Sequence, residues 1–85
     1  MKEFNYTITD SLGIHARPAG MLVKEATRFN STLTLECNGK SADAKRIFSV
    51  MSLGVKCGNT VTVKAEGGDE DNAIMAMEEF LKNNL

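Results

Sequence analysis

At 85 residues, the chain has room for one hydrophobic core, so residues 1–85 are expected to form a single domain. A composition of 42% hydrophobic and 25% charged residues is that of an ordinary globular protein, and no apolar run approaches the ~20 residues needed to cross a bilayer. A formal net charge of −1 argues against a nucleic-acid binder.

Phe4, Tyr6 and Ile8 alternate with polar residues, predicting a strand over 2–9 with one buried face. Asp10-Ser11-Leu12-Gly13 reads as a loop. From Ala16 to about Phe29, Ala19, Leu22, Val23 and Ala26 make one helical stripe. Pro18 fits only near the start of that helix, where an amide hydrogen has no intrahelical acceptor, and this puts His15 at or beside the N-cap. Leu33, Leu35 and Cys37 alternate again before Asn38-Gly39, a strong hairpin signal, with Ala42 and Ala44 facing inward on the returning strand. Ile47–Leu53 reads as a short helix closed by Gly54. Gly58-Asn59 leads into a strand with Val61, Val63 and Ala65 inward, which Gly67-Gly68 ends. Asp69 is then placed to cap a last helix, with Glu70 and Asp71 in its first turn. Ala73, Ile74, Met77, Phe80 and Leu81 form that helix's core stripe, and Met75 is expected in the core or at its edge.

The order βαββαβα predicts an α+β fold, an open-faced two-layer β-sandwich with the helices on one face of a four-stranded sheet. The second helix has more apolar residues than one face can bury. Some of Ile47, Phe48 and Met51 are therefore expected at the surface, as partner-binding residues.

The start of the chain reads directly into strand pattern, with no signal peptide. Cys37 and Cys57 match neither a CxxC motif nor a disulfide framework. Both point to a reduced, cytoplasmic protein. Residues 1–57 carry eight Lys and Arg against five Asp and Glu, whereas residues 58–85 carry two against six. The only histidine lies in the basic part, as suits a site for an anion, although on charge alone a solvated, uneven distribution is the favoured account.

The chemistry concentrates in Gly13-Ile14-His15-Ala16-Arg17-Pro18-Ala19. Free amides at a helix N-terminus bind phosphate-like anions, and Arg17 can add two parallel charge-assisted hydrogen bonds to phosphoryl oxygens. An ordinary imidazole, with a pKa of ~6.5, is already mostly neutral and nucleophilic at cytosolic pH. A helix terminus contributes only ~0.3–1 kcal/mol. Holding the roughly two negative charges of a transferred phosphoryl group therefore matters more than activating the ring. No ligand cluster accompanies His15, so neither a metal nor another cofactor is expected.

On the heptapeptide around His15, on Asn38-Gly39-Lys40 and on Met51-Ser52-Leu53-Gly54, the whole chain resembles the HPr family. These are the histidine phosphocarriers of the bacterial phosphoenolpyruvate:sugar phosphotransferase system. The resemblance implies an antiparallel sheet of order 1-4-2-3 and a stoichiometric carrier rather than an autonomous enzyme. It implies that enzyme I phosphorylates His15 at Nδ1, that enzyme IIA proteins receive the group, and that Arg17 is the active-site arginine. Ala16, Gly20, Ile47, Phe48 and Met51 fall on the family's docking surface, and a monomer without membrane insertion is implied. Two positions depart from the pattern. Gly20 stands where alanine is common, and Arg46 stands where many members carry a serine that a kinase phosphorylates. These departures leave open an HPr paralogue in a dedicated or regulatory phosphorelay.

Overall fold

A computed structural model describes residues 1–85. Strands β1 (Lys2–Thr7), β2 (Thr32–Cys37), β3 (Lys40–Asp43) and β4 (Thr60–Glu66) form one sheet in the order β1-β4-β2-β3. Every neighbouring pair is antiparallel. Helices α1 (Ala16–Ala26), α2 (Ile47–Ser52) and α3 (Glu70–Asn84) complete the βαββαβα order. The predicted fold class and strand order are those observed.

Alternation sets the two sheet faces. Leu33, Leu35 and Cys37 on β2, Ala42 on β3, and Val61, Val63 and Ala65 on β4 are all buried. The intervening Thr34, Glu36, Thr62 and Lys64 lie on the open face, where Lys64 Nζ pairs with Glu36 Oε2 at 3.2 Å and Thr62 Oγ1 donates to Asn5 Oδ1 at 2.6 Å. Asn38 and Gly39 both have positive φ, at 54° and 79°. That is the type I′ turn whose twist matches the flanking strands.

The helices close the other face, with α1 packed on both α2 and α3, and α3 lying against β1 and β4. Ala19, Leu22 and Ala26 of α1, Val50 of α2, and Ala73, Met77 and Leu81 of α3 join the strand residues in one core of 20 buried side chains. Helix α1 ends at Ala26 rather than near Phe29. Bonds from Arg28 N to Glu25 O and from Phe29 N to Ala26 O tighten its last turn instead of continuing it.

Two expectations need correction on α3. Met75 is 68% exposed, because at 100° per residue it lies about 200° around the helix from Ala73, away from the buried stripe. Asp69 occupies the N-cap position, yet its side chain makes no capping hydrogen bond. Its carboxylate reaches across to accept the amides of Asn30 and Ser31, each at 2.9 Å, and the Ser31 hydroxyl. Ser31 is buried, so its polar groups need an acceptor inside the fold. Gly67 permits the approach, since a Cβ there would come within 2.8 Å of Ser31 Cα. Those bonds, the Ser31 hydroxyl first, hold the Asp69 carboxyl below the usual carboxylate range. In the turn ahead of α3, the Gly67 amide donates to Glu70 Oε1 at 3.1 Å.

Candidate functional site

His15 is the N-cap of α1, in extended backbone conformation, and its ring makes no capping hydrogen bond. The amides of Ala16 and Arg17 at the first two helical positions lack intrahelical acceptors. Pro18, buried at the third, has no N–H to satisfy. An imidazole therefore stands beside two free donors at the positive end of an 11-residue helix.

The chain entering the helix is clamped against the segment that follows α2. Ile14 is buried, and its amide donates to Val55 O at 3.1 Å. Gly13, at φ +67°, leaves no space for a side chain: a Cβ would overlap the Val55 carbonyl and lie 2.7 Å from Lys56 Cα. The Gly13 amide donates back to Asp10 O at 2.9 Å. His15 is thus fixed by backbone bonds on its own loop and by a second segment 40 residues along the chain.

The half-buried ring borders an open depression of about 260 Å³ lined by Asp10, His15, Arg17, Pro18, Met21 and Asn84. Asp10 Oδ1 lies 3.9 Å from His15 Nε2. Arg17 is exposed and takes part in no ion pair. Its guanidinium is available to an incoming anion. Depressions of about 310 Å³ beside the Asn38–Gly39 turn and 360 Å³ between α1 and α3 contain no nucleophile positioned at a helix start. No group of three or more His, Cys, Asp or Glu side chains is arranged to hold a metal ion. Cys37 is buried and Cys57 exposed, and both are free thiols.

The structure brings Gly20 and Ile47 together where α1 crosses α2; a Cβ on Gly20 would lie 3.7 Å from Ile47 Cδ1. Ile47 is half-buried, whereas Phe48 is 83% exposed and Met51 also reaches the surface. Ala16 is exposed at the start of α1. Sequence reading overlooked Asp10 and the exposed Met21 and Leu12. Asp10 belongs to a loop, and no periodicity marks a loop carboxylate that folds back on a ring. Arg46 caps α2 through its backbone position alone, and its Nε lies 3.6 Å from Asp43 Oδ2.

Comparisons with known proteins agree with this architecture. The model of the PTS HPr component phosphorylation site family matches residues 2–83. The phosphocarrier protein HPr of Mycoplasma capricolum is 43% identical over 81 residues, covering 95% of this chain and 91% of that protein. A solved histidine-containing phosphocarrier protein from Mycoplasma superposes with a TM-score of 0.94 at 40% identity, over 96% of this chain and 93% of its own. HPr of Thermoanaerobacter tengcongensis gives 0.93 at 42% identity, over 98% and 93%. With the family model matching residues 2–83 and these relatives matching nearly the whole length, the chain belongs to the HPr family, the phosphocarriers of the phosphotransferase system.

Proposed function

We propose that His15 takes a phosphoryl group from phosphorylated enzyme I and passes it to enzyme IIA proteins, with this chain working as a cytoplasmic monomeric carrier. The observation that carries this reading is the imidazole at the N-cap of α1, which makes no capping bond and stands beside two free amides and the unpaired guanidinium of Arg17. The ring supplies a lone pair, and the amides and Arg17, which lines the same depression, meet the phosphoryl oxygens. Nδ1 is the nitrogen that family membership implies.

Ala16, Gly20, Ile47, Phe48 and Met51 form the docking surface in this reading. Phe48 supports it most directly, because an aromatic ring left 83% exposed resembles the anchors that dominate transient interfaces. Arg46 favours a second reading, a paralogue in a dedicated phosphorelay, because a guanidinium at that position cannot accept a phosphoryl group.

The test is incubation with enzyme I and phosphoenolpyruvate. An acid-labile phosphoryl group is expected on His15, and His15→Ala should abolish it while circular dichroism remains unchanged. Labelling that survives His15→Ala refutes the assignment. Transfer to a regulator rather than to enzyme IIA favours the second reading.

A further inference from the structure

The carboxylate of Asp10 is held in place on the side of His15 opposite to the proposed reacting nitrogen. Its Oδ1 accepts the Leu12 amide at 2.8 Å, and its own amide donates to Leu85 O at 2.8 Å. Backbone bonds therefore determine where this side chain sits. From there Oδ1 lies 3.9 Å from Nε2, with the His15 and Asp10 side chains 37% and 31% exposed. Arg17 is the other charged residue lining the depression, and the remaining walls, Pro18, Met21 and Asn84, are uncharged.

A carboxylate beside one ring nitrogen favours a proton on that nitrogen, and so determines which nitrogen keeps the lone pair. We propose that Asp10 is a positioning residue for His15: it holds the ring as the Nε2–H tautomer and keeps that proton in place during phosphoryl transfer. The inference rests on the carrier reading above and adds to it the control of the ring's tautomer. In the accepting step the Nδ1 lone pair forms the new N–P bond. The donor's N–P bond breaks, and its electron pair returns to the donor nitrogen. The His15 ring then carries a positive charge, part of it on Nε2–H facing Asp10. Losing that proton would neutralise the ring and strengthen its bond to phosphorus. Keeping it leaves the phosphoryl group transferable, and the reverse bookkeeping of electrons applies when the acceptor takes it.

The test uses ¹⁵N-histidine-labelled, unphosphorylated protein above the pH at which the ring is neutral, with no partner present. Nitrogen chemical shifts are expected to show the Nε2–H form dominant in the parent. Asp10→Ala should move the tautomer ratio toward Nδ1–H by about twofold to fivefold, the scale of a partly exposed ion pair. Phosphoryl turnover should fall by a similar factor. Asp10→Asn keeps an oxygen for the Leu12 amide, so it removes the charge while preserving the turn. If the tautomer ratio is unchanged in Asp10→Asn, the inference is overturned, whatever Asp10→Ala does to the loop. Labelling of His15 in the parent separates the two ideas. A labelled His15 with an unmoved tautomer ratio defeats the role of Asp10 alone, whereas absence of label defeats the carrier reading.

Discussion

Gly20→Ala is expected to stabilise the protein. Gly20 lies inside α1, and its φ is not positive. Apart from its chain neighbours and the backbone of α1 itself, the only heavy atom within 4 Å of an added Cβ is Ile47 Cδ1 at 3.7 Å, an ordinary van der Waals distance. Nothing has to move, so the helix-propensity difference of about 1 kcal/mol between glycine and alanine should appear nearly in full. An unfolding entropy of about 2.1 cal/mol/K per residue gives roughly 0.18 kcal/mol/K for 85 residues, so Tm should rise by about 5 °C. Thermal melts followed by circular dichroism, together with urea titrations, measure both quantities. Gly13→Ala is the opposing control. It combines φ +67° with overlap of the Val55 carbonyl and should lower stability by about 2 kcal/mol or more. A Gly20→Ala variant whose Tm is unchanged or lower would refute the reasoning, and would mean that α1 and α2 pack more tightly at Gly20 than the 3.7 Å separation implies.

Asp69 makes stability depend on pH. Its folded-state pKa is depressed by the Ser31 and Asn30 bonds, so its contribution is present above the unfolded value of ~3.9 and lost as pH falls through the folded one. Urea midpoints of the parent and Asp69→Asn should differ clearly near neutrality and converge below about pH 4; a constant gap would assign the loss to packing. Phe48→Asp should weaken enzyme I binding by about 2 kcal/mol or more in titration calorimetry. Its Tm should hardly change, since the ring is 83% exposed. Unchanged affinity would move the docking surface elsewhere. Arg17→Ala should reduce transfer turnover about tenfold or more while the apparent Michaelis constant changes less; the opposite split would make Arg17 a docking residue.

Much of the fold can be read from periodicity, because the relevant contacts repeat locally. Leu33, Leu35 and Cys37 face inward as their alternation requires, and Asn38-Gly39 turns the hairpin because both residues accept positive φ. Pro18 located the start of α1, and with it the N-cap position of His15. What escaped were interactions between segments distant in sequence. Asp69 has the residue type and position of a capping group, but the buried Ser31, 38 residues earlier, competes for the same carboxylate and wins. Asp10 sits in a loop whose course depends on backbone bonds to Val55 and Leu85, and neither is visible from local pattern. Met75 is exposed for a simpler reason: its angle on the helix, not its hydrophobicity, sets which way it faces.

The sheet order also constrains how the chain can fold as it is synthesised. β1 lies at an edge, and its only partner is β4, with Lys2 opposite Ala65 and Thr7 opposite Thr60. A nascent chain leaving the ribosome N-terminus first therefore exposes Phe4, Tyr6 and Ile8 with no strand to join until β4 has emerged. β2 can form its hairpin with β3 early, but it too waits for β4 along its other edge. Pairings of such long sequence separation form slowly and late. A chain stalled or cut before Thr60 would retain an unpaired β1 and a β2–β3 hairpin with one open apolar edge, a substrate for chaperones or aggregation rather than a smaller folded unit.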